Sequence, residues 1–172
     1  AATATQFLTP AGTPQGFLAA VDGGLSVGTP GLVRMLELAH KNHGKLAWSS
    51  LFDEGIRLSE AGFNISARMN TQVVGAAARL RAQGEPAASY FLKPDGTAKD
   101  VGTLLRNPEL ADTFRKLAAG GANAFYTGEI AQSIVDKVRS HPTQPGRLSM
   151  ADMAGYQAKN RPAVCGEHRA LK

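Results

Sequence analysis

Gly24-Leu25-Ser26-Val27-Gly28 is a G-x-S-x-G pentapeptide. That is the spacing of the sharp turn that lifts a nucleophilic serine beside backbone oxyanion donors. Asp152 and His168 follow in the order an acid and a base of such a triad would take. The chemistry also demands a strand running into the serine and a helix leaving directly after it. Residues 17 to 21 could supply the strand. The helix start comes late, at Thr29-Pro30, and the chain lacks the alternation of strands and helices that builds a parallel sheet. The pentapeptide therefore meets the motif in spacing and fails it in context.

The same glycines precede a helix N-terminus, where a phosphate could be cradled. The stretch is not G-x-x-x-x-G-K-[ST], however, and Pro30 removes one amide donor. Glu37 and His40 form a Glu-x-x-His pair on one helix face, with His43 on the next turn. A di-iron bundle needs a second such pair and further carboxylates, and no second copy exists. A polar helix face near a C-terminus is the simpler reading. Glu85, Asp95 and Asp100 could be acid/base carboxylates but sit beside turn residues, where acidic groups are ordinary. Cys165 is the lone cysteine, which excludes an internal disulfide and reads as a small buried hydrophobe. No catalytic, cofactor-binding or metal-binding residue is assigned from these patterns.

The elements that would position such groups are mostly helical. At 172 residues, 43% hydrophobic and 19% charged, the chain suits one soluble unit without a run of eighteen apolar residues. Residues 1–28 read as an extended lead-in without the basic start and apolar centre of a signal peptide. Residues 29–156 read as a helical region. Thr29-Pro30 opens a helix with Leu32, Val33, Met35, Leu36 and Ala39 as its apolar face, closed by Gly44. A second helix runs from Ser49 to Glu60, with Leu51, Phe52, Ile56 and Leu58 inward and Gly62 as its stop. Ser66 caps a third, whose Val73, Val74, Ala77 and Leu80 repeat at helical spacing before Gly84. Tyr90, Phe91 and Leu92 lead into Pro94-Asp95-Gly96 as a short hairpin. Asn107-Pro108 opens a helix to Gly120, another covers Ile130 to Val138, and a short one begins at Ser149. Residues 157–172 read as an extended tail.

Charge is uneven. The net value is +5, yet residues 1 to 136 carry twelve basic and twelve acidic side chains, so the excess lies from Lys137 onward. Those cations are not interleaved with aromatics as on a nucleic-acid surface. They read as a solvated edge, or as a surface that something else covers. A free-standing basic helical module binding an anionic partner, with salt-sensitive affinity, is the alternative from another class.

Several segments, taken in order, resemble the γ-glutamyltranspeptidase family in the middle of its large subunit. They are SVGTPG at 26–31, HGKL at 43–46, LFDEGIRLSEAGFNIS at 51–66, YFLKPDGTAKDVGTLLRNPELADTF at 90–114, AFYTGEIAQSIV at 124–135 and LSMADMAGYQAKNRPAV at 148–164. The resemblance implies a mainly α, helical subdomain of an αββα N-terminal nucleophile hydrolase, with a short hairpin and extended ends. It implies a precursor that cuts itself before a threonine, and transfer or hydrolysis of the γ-glutamyl group of glutathione-type compounds. A glutaryl or cephalosporin acylase of the same fold is the alternative within it.

The implied partners are the rest of the large subunit and a small catalytic subunit, with no nucleic acid, no membrane span and no cofactor. The implied location is periplasmic or extracellular. No threonine here is followed by histidine, the first residue is Ala1, and the family's substrate-binding arginine would fall just before it. The chain alone is therefore expected to be inactive. Two further expectations concern packing. Phe125 and Tyr126 should fill a helix-to-helix corner that Gly128 allows. Leu8, Phe17, Leu18 and Val164 should be exposed, as on a piece of a larger body.

Overall fold

The computed structural model describes residues 3–166. Its elements run α1 (Phe17–Val21), α2 (Leu32–His43), a 3-10 turn at Ser49–Phe52, α3 (Asp53–Ala61), β1 (Phe63–Asn64), α4 (Ala67–Gln83), α5 (Ala87–Phe91), β2 (Leu104–Leu105), α6 (Pro108–Gly120), α7 (Asn123–Tyr126), α8 (Gly128–Arg139) and α9 (Met150–Ala154). The chain is mainly helical. β1 and β2 pair antiparallel, Phe63 opposite Leu105 and Asn64 opposite Leu104.

Where a helix carries its own cap, it starts where the sequence says. Ser66 accepts from the Met69 amide at 3.1 Å, Asn107 from Leu110 at 2.9 Å and Ser149 from Asp152 at 3.1 Å. Each bond satisfies an amide that the first helical turn leaves without a partner. The Asp152 carboxylate returns the favour by accepting from the Ser149 amide at 3.0 Å, which completes a capping box.

Four local readings are corrected. Residues 17 to 21 form helix α1, not a strand, because Ala20 and Asp22 donate back to Gly16 and Leu18. The hairpin at Tyr90 shrinks to a single Leu92–Ala98 bridge around the Pro94-Asp95-Gly96 turn, while Tyr90 and Phe91 end α5. Helix α2 begins at Leu32 with Gly31 at its N-cap, two residues later than Thr29. Gly44 closes α2 with φ −69°, so its use is space rather than handedness: a Cβ there would lie 2.3 Å from the His40 ring.

The core has two buried clusters. The larger joins α7, α8 and α9 through Ala122, Tyr126, Ala131, Val135, Val138, Leu148 and Met153. The smaller packs Val73 of α4 against Leu92 and Ala98. Between α3 and α6, Phe52 lies 6.1 Å from Phe114, ring to ring, and Trp48 stacks edge-on to Phe52 at 5.2 Å. Several expected inward residues face out instead. Leu51, Leu58 and Val74 are exposed, and so are Leu32, Met35 and Leu36 of α2. The inner side of α2 carries half-buried Val33, Arg34 and Glu37. Phe17, Leu18 and Val164 are exposed as expected, and Leu8 is half-buried.

A glycine pair is one of the points that tie down the lead-in. Gly24 donates to Gln144 O at 2.8 Å, and Gly146 donates to Val138 O at 2.8 Å. A Cβ on Gly24 would stand 2.1 Å from Val138 O and 2.5 Å from the Gly146 nitrogen. Backbone cannot yield as a side chain does, so Gly24→Ala is expected to lower stability by about 3 kcal/mol, the upper range for overpacking. Gly28→Ala, which meets nothing within 4 Å, should stay within about 0.5 kcal/mol as a surface change. Urea unfolding of both variants tests this, and equal midpoints would refute it.

Candidate functional site

The polar centre of the molecule is where α2 meets the α6–α7–α8 corner. Helix α2 has Gly31 at its N-cap and so no side chain of its own to accept from the first-turn amides. A Cβ at Gly31 would lie 2.3 Å from the Tyr156 hydroxyl, so any side chain there would have to displace the Tyr156 ring. Tyr126 supplies the missing acceptor from 92 residues away: its hydroxyl accepts from the Arg34 amide at 3.1 Å and donates to Pro30 O at 2.6 Å. One phenol thus caps a distant helix and holds the loop before it.

Tyr126 is fully buried, stacked on Tyr156 at 5.8 Å and edge-on to Phe125 at 5.1 Å. Gly128 stands at φ +72°, the left-handed turn that lets α8 leave directly after this corner. Burial pushes the Tyr126 phenol above its ordinary range, and the Arg34 amide and guanidinium only partly offset that. It therefore stays a neutral donor and acceptor across physiological pH.

Arg34 and Glu37 complete the clamp. The Arg34 guanidinium lies 4.6 Å over the Tyr126 ring and donates to Asn123 Oδ1 at 3.0 Å and Glu37 Oε2 at 3.3 Å. The other Glu37 oxygen accepts from the Ala122 amide at 3.1 Å, and Lys41 pairs with Oε2 at 3.2 Å. Burial acts to raise the Glu37 pKa, but the Ala122 amide, Lys41 and Arg34 together hold it below the ordinary carboxylate range. The buried Arg34 Nε has no acceptor among the described residues.

The sequence candidates fall elsewhere. Ser26 and Asp152 do share one cavity of about 390 Å³, lined also by Gln6, Leu25, Thr29 and Arg147. The Ser26 hydroxyl donates to Val21 O at 2.8 Å, and the Asp152 carboxylate is held by Ser149 as a capping acceptor, which lowers its pKa. His168 lies outside the described residues. The Gly24 amide is spent on Gln144 and is not offered to a phosphate.

Glu37 belongs to the clamp, while His40 Nε2 meets Leu46 O at 2.9 Å and its ring stands edge-on to Trp48. Among the described residues no group of three His, Cys, Asp or Glu side chains is placed to hold a metal ion. Glu85 faces Ser89, Asp95 accepts from the Thr97 amide at 2.8 Å, and Asp100 pairs with Lys93 at 3.1 Å; each is a local turn or helix contact. Cys165 is exposed, contrary to the buried reading, because residues 157 to 166 carry no regular structure that packs over it.

The arrangement defines a helical scaffold in which the centre of the polar network is a pin between elements. The sequence model of the Gamma-glutamyltranspeptidase family matches residues 1–172. The chain belongs to that family. It is 34% identical over 150 residues to a protein named glutathione hydrolase proenzyme from Arthroderma benhamiae, covering 87% of this chain and 25% of that protein. The Helicobacter pylori gamma-glutamyltranspeptidase superposes with a TM-score of 0.88 at 30% identity, covering 98% of this chain and 47% of that one. A gamma-glutamyltranspeptidase from Pseudomonas nitroreducens, complexed with L-DON, gives 0.78 at 31% identity, over 92% of this chain and 44% of that one. The chain thus spans about a quarter of that curated relative and under half of those solved chains.

Proposed function

We propose that this chain is a helical part of the large subunit of a γ-glutamyltranspeptidase, an αββα N-terminal nucleophile hydrolase that transfers or hydrolyses the γ-glutamyl group of glutathione-type substrates. The observation that carries the reading is a family match over all 172 residues. In this reading the nucleophile is a threonine freed by self-cleavage, whose own amine takes the hydroxyl proton. It comes from a small subunit outside this chain, and an arginine preceding Ala1 holds the substrate α-carboxylate. The scaffold contributes rigidity: Tyr126 joins the 26–31 loop and α2 to the α7–α8 corner. Export to periplasm or exterior belongs to the same proposal. No helix among the described residues is long and apolar enough to cross a membrane.

Assay of a γ-glutamyl anilide tests it. The longer polypeptide that carries this sequence should release the aniline, and residues 1–172 alone should not. Turnover by the 172-residue chain that Ser26→Ala abolishes would overturn the reading in favour of a serine hydrolase.

A further inference from the structure

The turn at Pro94-Asp95-Gly96 gathers cations around a cavity. Arg81 of α4, Lys93 and Lys99 line a space of about 460 Å³ together with Glu85, and Ala88 and Leu92 supply an apolar wall. Each cation is fixed by the fold. Arg81 Nη1 donates to Gly96 O at 2.7 Å, where a Cβ on the glycine would stand only 3.0 Å from Arg81 Cδ. Lys99 Nζ donates to Ser89 O at 2.8 Å and to Tyr90 O at 2.9 Å, at the end of α5. Lys93 pairs with Asp100 at 3.1 Å, and the Asp100 side chain is 77% exposed. These contacts hold the side chains without cancelling their charge. A carbonyl brings no counter-charge, and a pair with a largely solvated carboxylate is weak. Among the described residues neither Arg81 nor Lys99 has a carboxylate partner. Glu85 is already engaged, its Oε2 accepting from the Ser89 amide at 3.3 Å and from the Ser89 hydroxyl.

We propose that this cavity binds a phosphate monoester with a small apolar body. The cavity sets three cations against one engaged carboxylate, and Lys93 and Lys99 are half-buried. A phosphoryl group answers that excess, because it brings close to two negative charges and three acceptor oxygens. Its oxygens meet the Arg81 guanidinium and the two ammonium groups, and its apolar body lies on Ala88 and Leu92. Donors fixed by other contacts before the ligand arrives lose little freedom when it binds. The volume falls within the range of about 300–1,000 Å³ usual for small-molecule sites. The site involves neither a nucleophile nor a γ-glutamyl group.

The test titrates the longer polypeptide with phenyl phosphate at constant ionic strength and reads binding by phosphorus NMR line width. Saturable binding is expected. Phenyl sulfate keeps the ring and three outer oxygens but carries a single charge, and by calorimetry it should bind about tenfold more weakly. Arg81→Gln and Lys93→Gln should each weaken phenyl phosphate about tenfold, the size of one charge-assisted hydrogen bond. Lys93→Gln gives up only an exposed pair and should leave the urea midpoint unchanged, so lost binding there is not lost folding. No saturable binding, phenyl sulfate bound as tightly as phenyl phosphate, or affinity unchanged in both variants would overturn the proposal. Binding is read without any γ-glutamyl donor, so its outcome is independent of turnover.

Discussion

Tyr126→Ala is expected to destabilise the protein by about 4 kcal/mol, the range found for removing a large buried aromatic side chain. The ring is fully buried between Phe125, Tyr156 and the Arg34 guanidinium, so its deletion opens a cavity that three elements line at once. Tyr126→Phe isolates the hydroxyl. It keeps the packing and strips the Arg34 amide of its acceptor and Pro30 O of its donor. The expected loss is about 1–2 kcal/mol, the range for a helix cap or a buried group left unsatisfied. Urea unfolding gives the totals. Amide hydrogen exchange gives the location, because Arg34 should exchange faster in Tyr126→Phe while the middle of α8 is unaffected. A phenylalanine variant with wild-type stability and wild-type exchange at Arg34 would show that the phenol does not cap α2.

That long-range cap also explains which parts of the fold were legible. Helices α4, α6 and α9 begin where local chemistry puts them, since Ser66, Asn107 and Ser149 each reach an amide three residues ahead. The start of α2 is not legible locally because its cap comes from Tyr126, and no spacing rule connects residues 34 and 126. Five-residue runs such as FLAAV at 17 to 21 are too short for periodicity to separate helix from strand. The two-residue strands β1 and β2 carry no pattern at all.

The apolar repeat of α2 is legible, but the repeat alone does not place it inward: Leu32, Met35 and Leu36 are exposed. The clamp has a sequence signal: Arg34, Glu37 and Lys41 stand three and four residues apart, the spacing of helix ion pairs. The Glu-x-x-His spacing of Glu37 and His40 competes with it. The family was readable from ordered segments, because those segments are the corners and caps that the fold needs.

Glu37 carries the second large effect. Its side chain is 16% exposed and that of Arg34 14%, so the pair is mostly shielded from solvent. Glu37→Ala leaves the Arg34 guanidinium only Asn123 and the Tyr126 ring among its described partners, and it orphans the Ala122 amide at the α6–α7 junction. The expected cost is about 3 kcal/mol, the lower end for breaking a buried ion pair from one side. Glu37→Gln retains an oxygen for the Ala122 amide and loses only charge, so it should cost about half as much, near the value of one charge-assisted hydrogen bond.

The pH dependence separates charge from shape. The folded-state pKa of Glu37 lies below the ordinary glutamate value, so its contribution is present above about pH 4.3, the unfolded value. It is lost as pH falls further, through the folded-state pKa. Wild-type stability measured by urea titration from pH 7 to pH 3 should therefore approach that of Glu37→Gln at the acid end, while the two stay separated above pH 5. A difference between wild type and Glu37→Gln that persists unchanged at pH 3 would mean that the carboxylate acts through its shape alone. The clamp would then be a packing contact rather than an ion pair.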